Sequence, residues 1–178
     1  MTSRTVFAVI AFTTLVLIAG LSSRAQAAES DDRKTLVGTW KITVFQDDGR
    51  DRLDRLGAGL AKKDQPPRVA KLVFTADECW VIRGDGKREL KAGLANAAFK
   101  AVKLDPGANP KTIDITGFSG KEADATKTYQ GIYSLEDKTL RICWCEQGNT
   151  RPTKLESDGA NNLFVCEKIS DEPQKPAE

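Results

Sequence analysis

From Leu36 onward, apolar and polar residues alternate in short runs, and clusters of Gly, Pro and Asp interrupt them. That is the pattern of strands and tight turns. The densest run is Leu36-Val37-Gly38-Thr39-Trp40-Lys41-Ile42-Thr43-Val44-Phe45. Its β-branched and aromatic content predicts a strand with Trp40, Ile42 and Val44 on one face. Gly38 lies on that face too, and its missing side chain lets another segment approach closely. A hairpin follows, with arms Val69–Thr75 and Cys79–Arg83 around Ala76-Asp77-Glu78. Leu72 and Phe74 share a face of the first arm, and Trp80 and Ile82 share a face of the second.

Strands are next predicted over Phe99–Leu104 and, beyond the turn Asp105-Pro106-Gly107-Ala108-Asn109-Pro110, over Thr112–Thr116. The clearest hairpin pairs Thr128–Leu135 with Thr139–Cys145 across Glu136-Asp137-Lys138, and Leu163–Ile169 is the last strand. One segment departs from the period of two. Leu53, Leu56 and Leu60 have helical spacing within Asp51–Lys63, which predicts a short helix after the first strand. Gly57 and Gly59 weaken it, and Gln65-Pro66-Pro67 ends it. Lys87 to Ala98 follows neither period, and its structure stays open. About eight strands joined by short turns pair antiparallel and form an all-β barrel, or an open sandwich of the same strands.

The first segment reads as an address. Arg4 precedes an apolar run from Val6 to Leu21, and Ala25-Gln26-Ala27 is a small-x-small cleavage site. The run is shorter than the roughly 20 residues of a spanning helix. The expected organisation is a signal peptide over residues 1–27, a barrel domain over 28–169 and a disordered tail over 170–178. Residues 29–34 read as a charged, mobile leader. The expected location is periplasmic or extracellular, with no stable membrane insertion after cleavage.

Cleavage changes the charge. The chain has 27 Lys+Arg against 25 Asp+Glu, and the signal removes Arg4 and Arg24. A balanced surface exerts no long-range pull on nucleic acid or anionic lipid. No stripe of basic residues interleaves with aromatics, so no nucleic-acid partner is expected.

The chain contains no histidine. This removes the Ser-His-Asp and Cys-His pairs, the commonest general base and the imidazole ligands of most catalytic zinc sites. Four cysteines, Cys79, Cys143, Cys145 and Cys166, suggest disulfides in an exported chain, with Cys166 to Cys143 or Cys145 the best-fitting pair. By strand parity all four fall on the less apolar side of the sheet. Cys-x-Cys lacks structural-zinc spacing, so no metal is expected. Asp47, Asp48, Asp51 and Asp54 do not match a calcium loop and read as a solvated turn.

Gly38-x-Trp40 opening the first strand resembles the start of a lipocalin-type barrel. More of the chain carries a likeness. Leu36-Val37-Gly38-Thr39-Trp40, Lys103-Leu104-Asp105-Pro106, Asn109-Pro110-Lys111-Thr112-Ile113-Asp114-Ile115-Thr116-Gly117, Gly131-Ile132-Tyr133, Leu140-Arg141-Ile142-Cys143 and Arg151-Pro152-Thr153 occur in that order. Together they resemble a family of exported domains, frequent in planctomycete bacteria and described as lipocalin-like. The resemblance implies an antiparallel lipocalin-like barrel outside the cytoplasm. It implies no activity and transfers no catalytic residues.

The leading expectation is thus a non-enzymatic, exported lipocalin-like domain, without cofactor, that binds a small apolar ligand. Trp40, Phe74, Trp80, Tyr133 and Trp144 are the candidate lining, among an interior set with Leu72, Ile82, Ile113, Ile115 and Ile142. Two alternatives stay open: a cell-envelope protein-interaction module with a packed barrel, its partner unknown, and a His-free enzyme using carboxylates or Lys. An apolar cavity favours the first reading. A filled interior with an exposed aromatic or apolar patch favours the second, and a cleft holding an acid with a strongly perturbed pKa favours the third.

Overall fold

The period-two runs form strands, and every pairing between them is antiparallel. The computed structural model describes residues 31–58, 68–84, 98–118, 126–145 and 149–174. Its strands are β1 (Gly38–Asp47), β2 (Arg50–Asp51), β3 (Lys71–Phe74), β4 (Glu78–Ile82), β5 (Ala98–Asp105), β6 (Thr112–Phe118), β7 (Thr126–Glu136), β8 (Thr139–Cys145) and β9 (Asn161–Ser170). Sheet order from β3 to β9 follows the sequence, and β1 pairs with β3 on one side and β9 on the other. Eight strands therefore make a nearly closed barrel, with β2 a two-residue arm hairpinned to the end of β1. Closure leaves few backbone groups on open edges, which is why short strands such as β3 are stable in it. Among the described residues no helix is long and apolar enough to cross a membrane.

The expected helix after β1 is a single 3₁₀ turn, Leu53–Leu56, which ends at Gly57 in the left-handed region (φ 65°). Leu56 is buried and Leu53 partly so; Leu60 lies outside the described residues, as do the signal segment 1–27 and most of 87–98. The acidic turn holds this piece in place: Asp47 pairs with Arg55 at 2.7 Å, and Asp51 Oδ1 accepts from the Leu53 amide at 2.9 Å.

Two parities differ from the sequence expectation. In β1 the register with β9 skips Thr43, pairing Ile42 with Cys166 and Val44 with Val165. This bulge turns Phe45, rather than Val44, into the core beside Trp40 and Ile42. In the β3–β4 hairpin, Phe74 pairs with Cys79, Val73 with Trp80 and Leu72 with Val81. Cross-strand partners share a face, so Cys79 and Val81 point inward with Phe74 and Leu72, while Trp80 and Ile82 take the outer face. The turn length sets that register, and a one-residue change of register reverses every side chain.

Antiparallel order sorts the connections between two ends. The short turns β3–β4, β5–β6 and β7–β8 lie at one end, together with the start of β1 and the end of β9; the longer connections lie at the other. Residues 31–36 are helical and sit at the short-turn end, which differs from the mobile leader expected over 29–34. The expected disordered tail also differs: Ser170 is the last residue of β9, and residues 171–174 are hydrogen-bonded to the barrel wall.

Gly38 serves this closure. Its φ is +136°, and a Cβ there would collide with the Ser170 carbonyl oxygen and lie 3.0 Å from Lys168 Cε. Strain and overpacking together predict a loss of about 3 kcal/mol for Gly38→Ala. For a domain of this size the thermal midpoint should fall by about 10 °C, measured by circular dichroism. A shift of about 2 °C or less would contradict the close approach of β9.

Candidate functional site

The interior is built from alternate residues of all eight barrel strands. Trp40, Ile42 and Phe45 come from β1, Leu72 and Phe74 from β3, Cys79 and Val81 from β4, and Val102 and Leu104 from β5. The remaining strands add Ile113, Ile115, Tyr133, Leu140, Ile142, Trp144, Phe164 and Cys166. Phe45 stacks on Phe164 with ring centroids 4.6 Å apart, and Trp144 leans on the same ring at 4.6 Å. Offset and tilted pairs of this kind add to the burial of the rings themselves.

Described residues join this core at both ends. At the short-turn end Leu36 is buried in it, and the Trp40 indole N–H donates to the Leu36 carbonyl at 2.8 Å. Three polar ties fasten the helix. Asp32 Oδ2 accepts from the Tyr133 hydroxyl at 2.6 Å and from Lys111 Nζ at 2.8 Å. Arg33 donates to the Ala76 and Val102 carbonyls at 3.1 and 3.0 Å, and Lys168 Nζ donates to the Thr35 carbonyl at 2.8 Å. Lys168 follows Phe164 and Cys166 on the inward parity of β9, and its ammonium lies 5.4 Å from the centre of the Trp40 ring. At the other end Leu56, Ala58 and Ala70 join the same core. The Leu56 carbonyl accepts from the Gly84 amide just beyond β4, at 2.9 Å.

Four of the five expected lining residues, Trp40, Phe74, Tyr133 and Trp144, are brought together inside the barrel. Trp80 is not; it stands on the outer face beside Val73. The four interior residues expose between 0 and 3% of their surface, and Leu72, Ile142 and Phe164 between them expose none. Side chains thus fill the space beside them, as expected of the smallest barrels. Phe45 and Phe164 are not among the expected lining residues, and Cys166, expected on the less apolar side of the sheet, instead points into the core on the same parity as Lys168. Phe164 and Cys166 alternate with Val165 and Glu167, and continuing that alternation would have placed Lys168 at the barrel's end.

All four cysteines are free thiols. The expected bond from Cys166 to Cys143 or Cys145 fails on geometry. Cys166 faces inward opposite Leu140 and Ile42, whereas Cys143 is on the outer face with Ile132 and Leu163. Opposite faces of a sheet point the Cβ atoms apart and cannot be bridged. Burial raises the Cys79 thiol well above its usual range, and the neighbouring Cys166 raises it further. Burial likewise raises Cys166. On the outer face burial pushes Cys143 up to about 11, against the opposing effect of its hydrogen bond to the Glu156 carbonyl, at 3.2 Å. Cys145 donates to the Gln130 and Asn149 carbonyls.

The β8–β9 connection covers these outer thiols. Leu155 packs on Ile132, Cys143 and Leu163, and Arg151 holds the loop down through the Gly131 carbonyl at 2.6 Å and Asp114 at 2.7 Å. Among the described residues no group of three or more His, Cys, Asp or Glu converges as a metal site. Comparison with protein-family models, with curated proteins and with solved structures gives no match. The functional reading therefore rests on this geometry.

Proposed function

We propose that the chain is an exported, non-enzymatic interaction module: a packed β-barrel that binds through its outer surface. The observation that carries this reading is the filled lumen, where Trp40, Phe74, Trp144 and Phe164 are at most 1% exposed. Burial of Leu36 at one end and Leu56 at the other supports it. A ligand carrier instead keeps space beside its apolar lining. Export is supported by the address segment over residues 1–27 and by the likeness to a family of exported domains. The absence of histidine supports the non-enzymatic part.

An environment-sensitive apolar dye tests the packed lumen. Titrated into the folded protein at neutral pH, it should give no saturable signal and leave tryptophan emission unchanged. One-to-one binding with quenching of the interior tryptophans would overturn this reading and restore the carrier.

A further inference from the structure

The outer faces of β1, β3 and β4 carry a row that solvent does not reach. Thr39 pairs with Val73, and Val73 with Trp80, so the three stand side by side on the outside of the barrel. Thr39 and Val73 are fully buried and Trp80 is 8% exposed. Over Thr39 the cover is the chain's own C-terminal segment. Thr39 Oγ1 donates to the Glu172 carbonyl at 2.8 Å and accepts from the Gln174 amide at 2.9 Å. Lys71, two residues before Val73 on the same face, donates from Nζ to Gln174 Oε1 at 3.1 Å. The segment thus leaves β9, crosses β1 and reaches β3, touching the wall at Thr39 and Lys71.

These contacts read a particular kind of peptide. Thr39 engages a carbonyl and an amide two residues apart, so the residue between needs no N–H. In this chain that residue is Pro173, whose fixed φ also holds the segment extended and lowers the entropy lost on docking. Lysines meet the segment at both ends: Lys168, from the end of the barrel, pairs with Asp171 at 2.8 Å, and Lys71 on the outer face reaches Gln174. Their charge complements an acidic segment such as Asp171-Glu172-Pro173-Gln174. We infer that this outer-face groove is a docking site for an extended acidic segment with a central proline, and that residues 171–174 of the same chain occupy it as an intramolecular competitor. The inference rests on the reading of the barrel as a surface-binding module, and it names the surface and its partner's chemistry.

The test uses full-length protein and a labelled peptide with the sequence of residues 170–178. A tethered competitor acts at an effective concentration of about a millimolar, so loosening it should strengthen binding in trans by about tenfold or more. The peptide should therefore bind the Pro173→Gly/Gln174→Gly variant with that gain over wild type, and adding Thr39→Val should remove most of it. In unmodified protein the Gln174 amide should exchange hydrogen at least about tenfold more slowly than in Thr39→Val. Equal peptide affinity for wild-type and loosened chains, or an unprotected Gln174 amide in wild type, would overturn the docking site. A wild-type dimer abolished by Thr39→Val would overturn the intramolecular assignment and put a second copy's tail in the groove. The apolar dye reports separately: its saturable uptake sinks the packed-module reading, whereas a silent dye with no peptide binding sinks the groove alone.

Discussion

Phe164→Ala should destabilise the protein by about 4–5 kcal/mol, near the top of the range for truncating one buried aromatic side chain. Phe164 is fully buried, and its ring is in contact with both Phe45 and Trp144. Removing it forfeits the transfer energy, both ring contacts and the packing of a lumen whose closed wall cannot collapse freely into the void. The thermal midpoint should fall by about 15 °C, against little change for Ile169→Ala, where the side chain is 46% exposed. Urea denaturation followed by tryptophan emission reports both variants. A loss below about 1 kcal/mol would mean that the lumen is not packed around this ring.

The second large effect is alkaline destabilisation. Cys79 and Cys166 hold their protons in the fold above the usual thiol value of 9.0, because burial penalises the thiolate. The unfolded chain loses those protons from about pH 8.5 upward. Over that window the fold binds more protons than the unfolded chain, so stability is complete below it and falls as pH rises. Each thiol contributes about 1.4 kcal/mol per pH unit, and the interior pair about 3 kcal/mol per unit. Cys143 adds to the loss up to its folded value of about 11. Urea midpoints at pH 8, 9 and 10 stay largely below the lysine range and measure the slope. Cys79→Ala/Cys166→Ala should start less stable but show a much shallower slope. Equal slopes would show that the two thiols do not stay protonated inside the barrel.

Cys79 and Cys166 both point into the packed interior, from strands separated around the wall by β3 and β1, and each is a free thiol. Cys143 and Cys145 are two residues apart on one strand, and each thiol is hydrogen-bonded to a different carbonyl beneath the β8–β9 connection. The even cysteine count is thus met by four buried free thiols.

Local alternation was enough to reveal the strands and their antiparallel order, because strand period and turn chemistry are written within a few neighbouring residues. It left barrel and open sandwich undecided, and the pairing of β1 with β9 decides for the barrel. The β7–β8 hairpin and the inward parity of Leu140, Ile142 and Trp144 follow from that pattern alone. What the sequence left undecided depends on register between residues far apart in the chain. The Thr43 bulge that turns Phe45 inward exists only against β9, and the turn length that sends Trp80 outward and Cys79 inward acts only once β3 and β4 pair. The same holds at the barrel's margins. Residues 31–36 and 171–174 are charged and look solvated in isolation, yet Asp32 finds Tyr133 and Lys111, and Glu172 and Gln174 find Thr39. Those partners lie 79 to 135 residues away, so only the closed barrel brings them together.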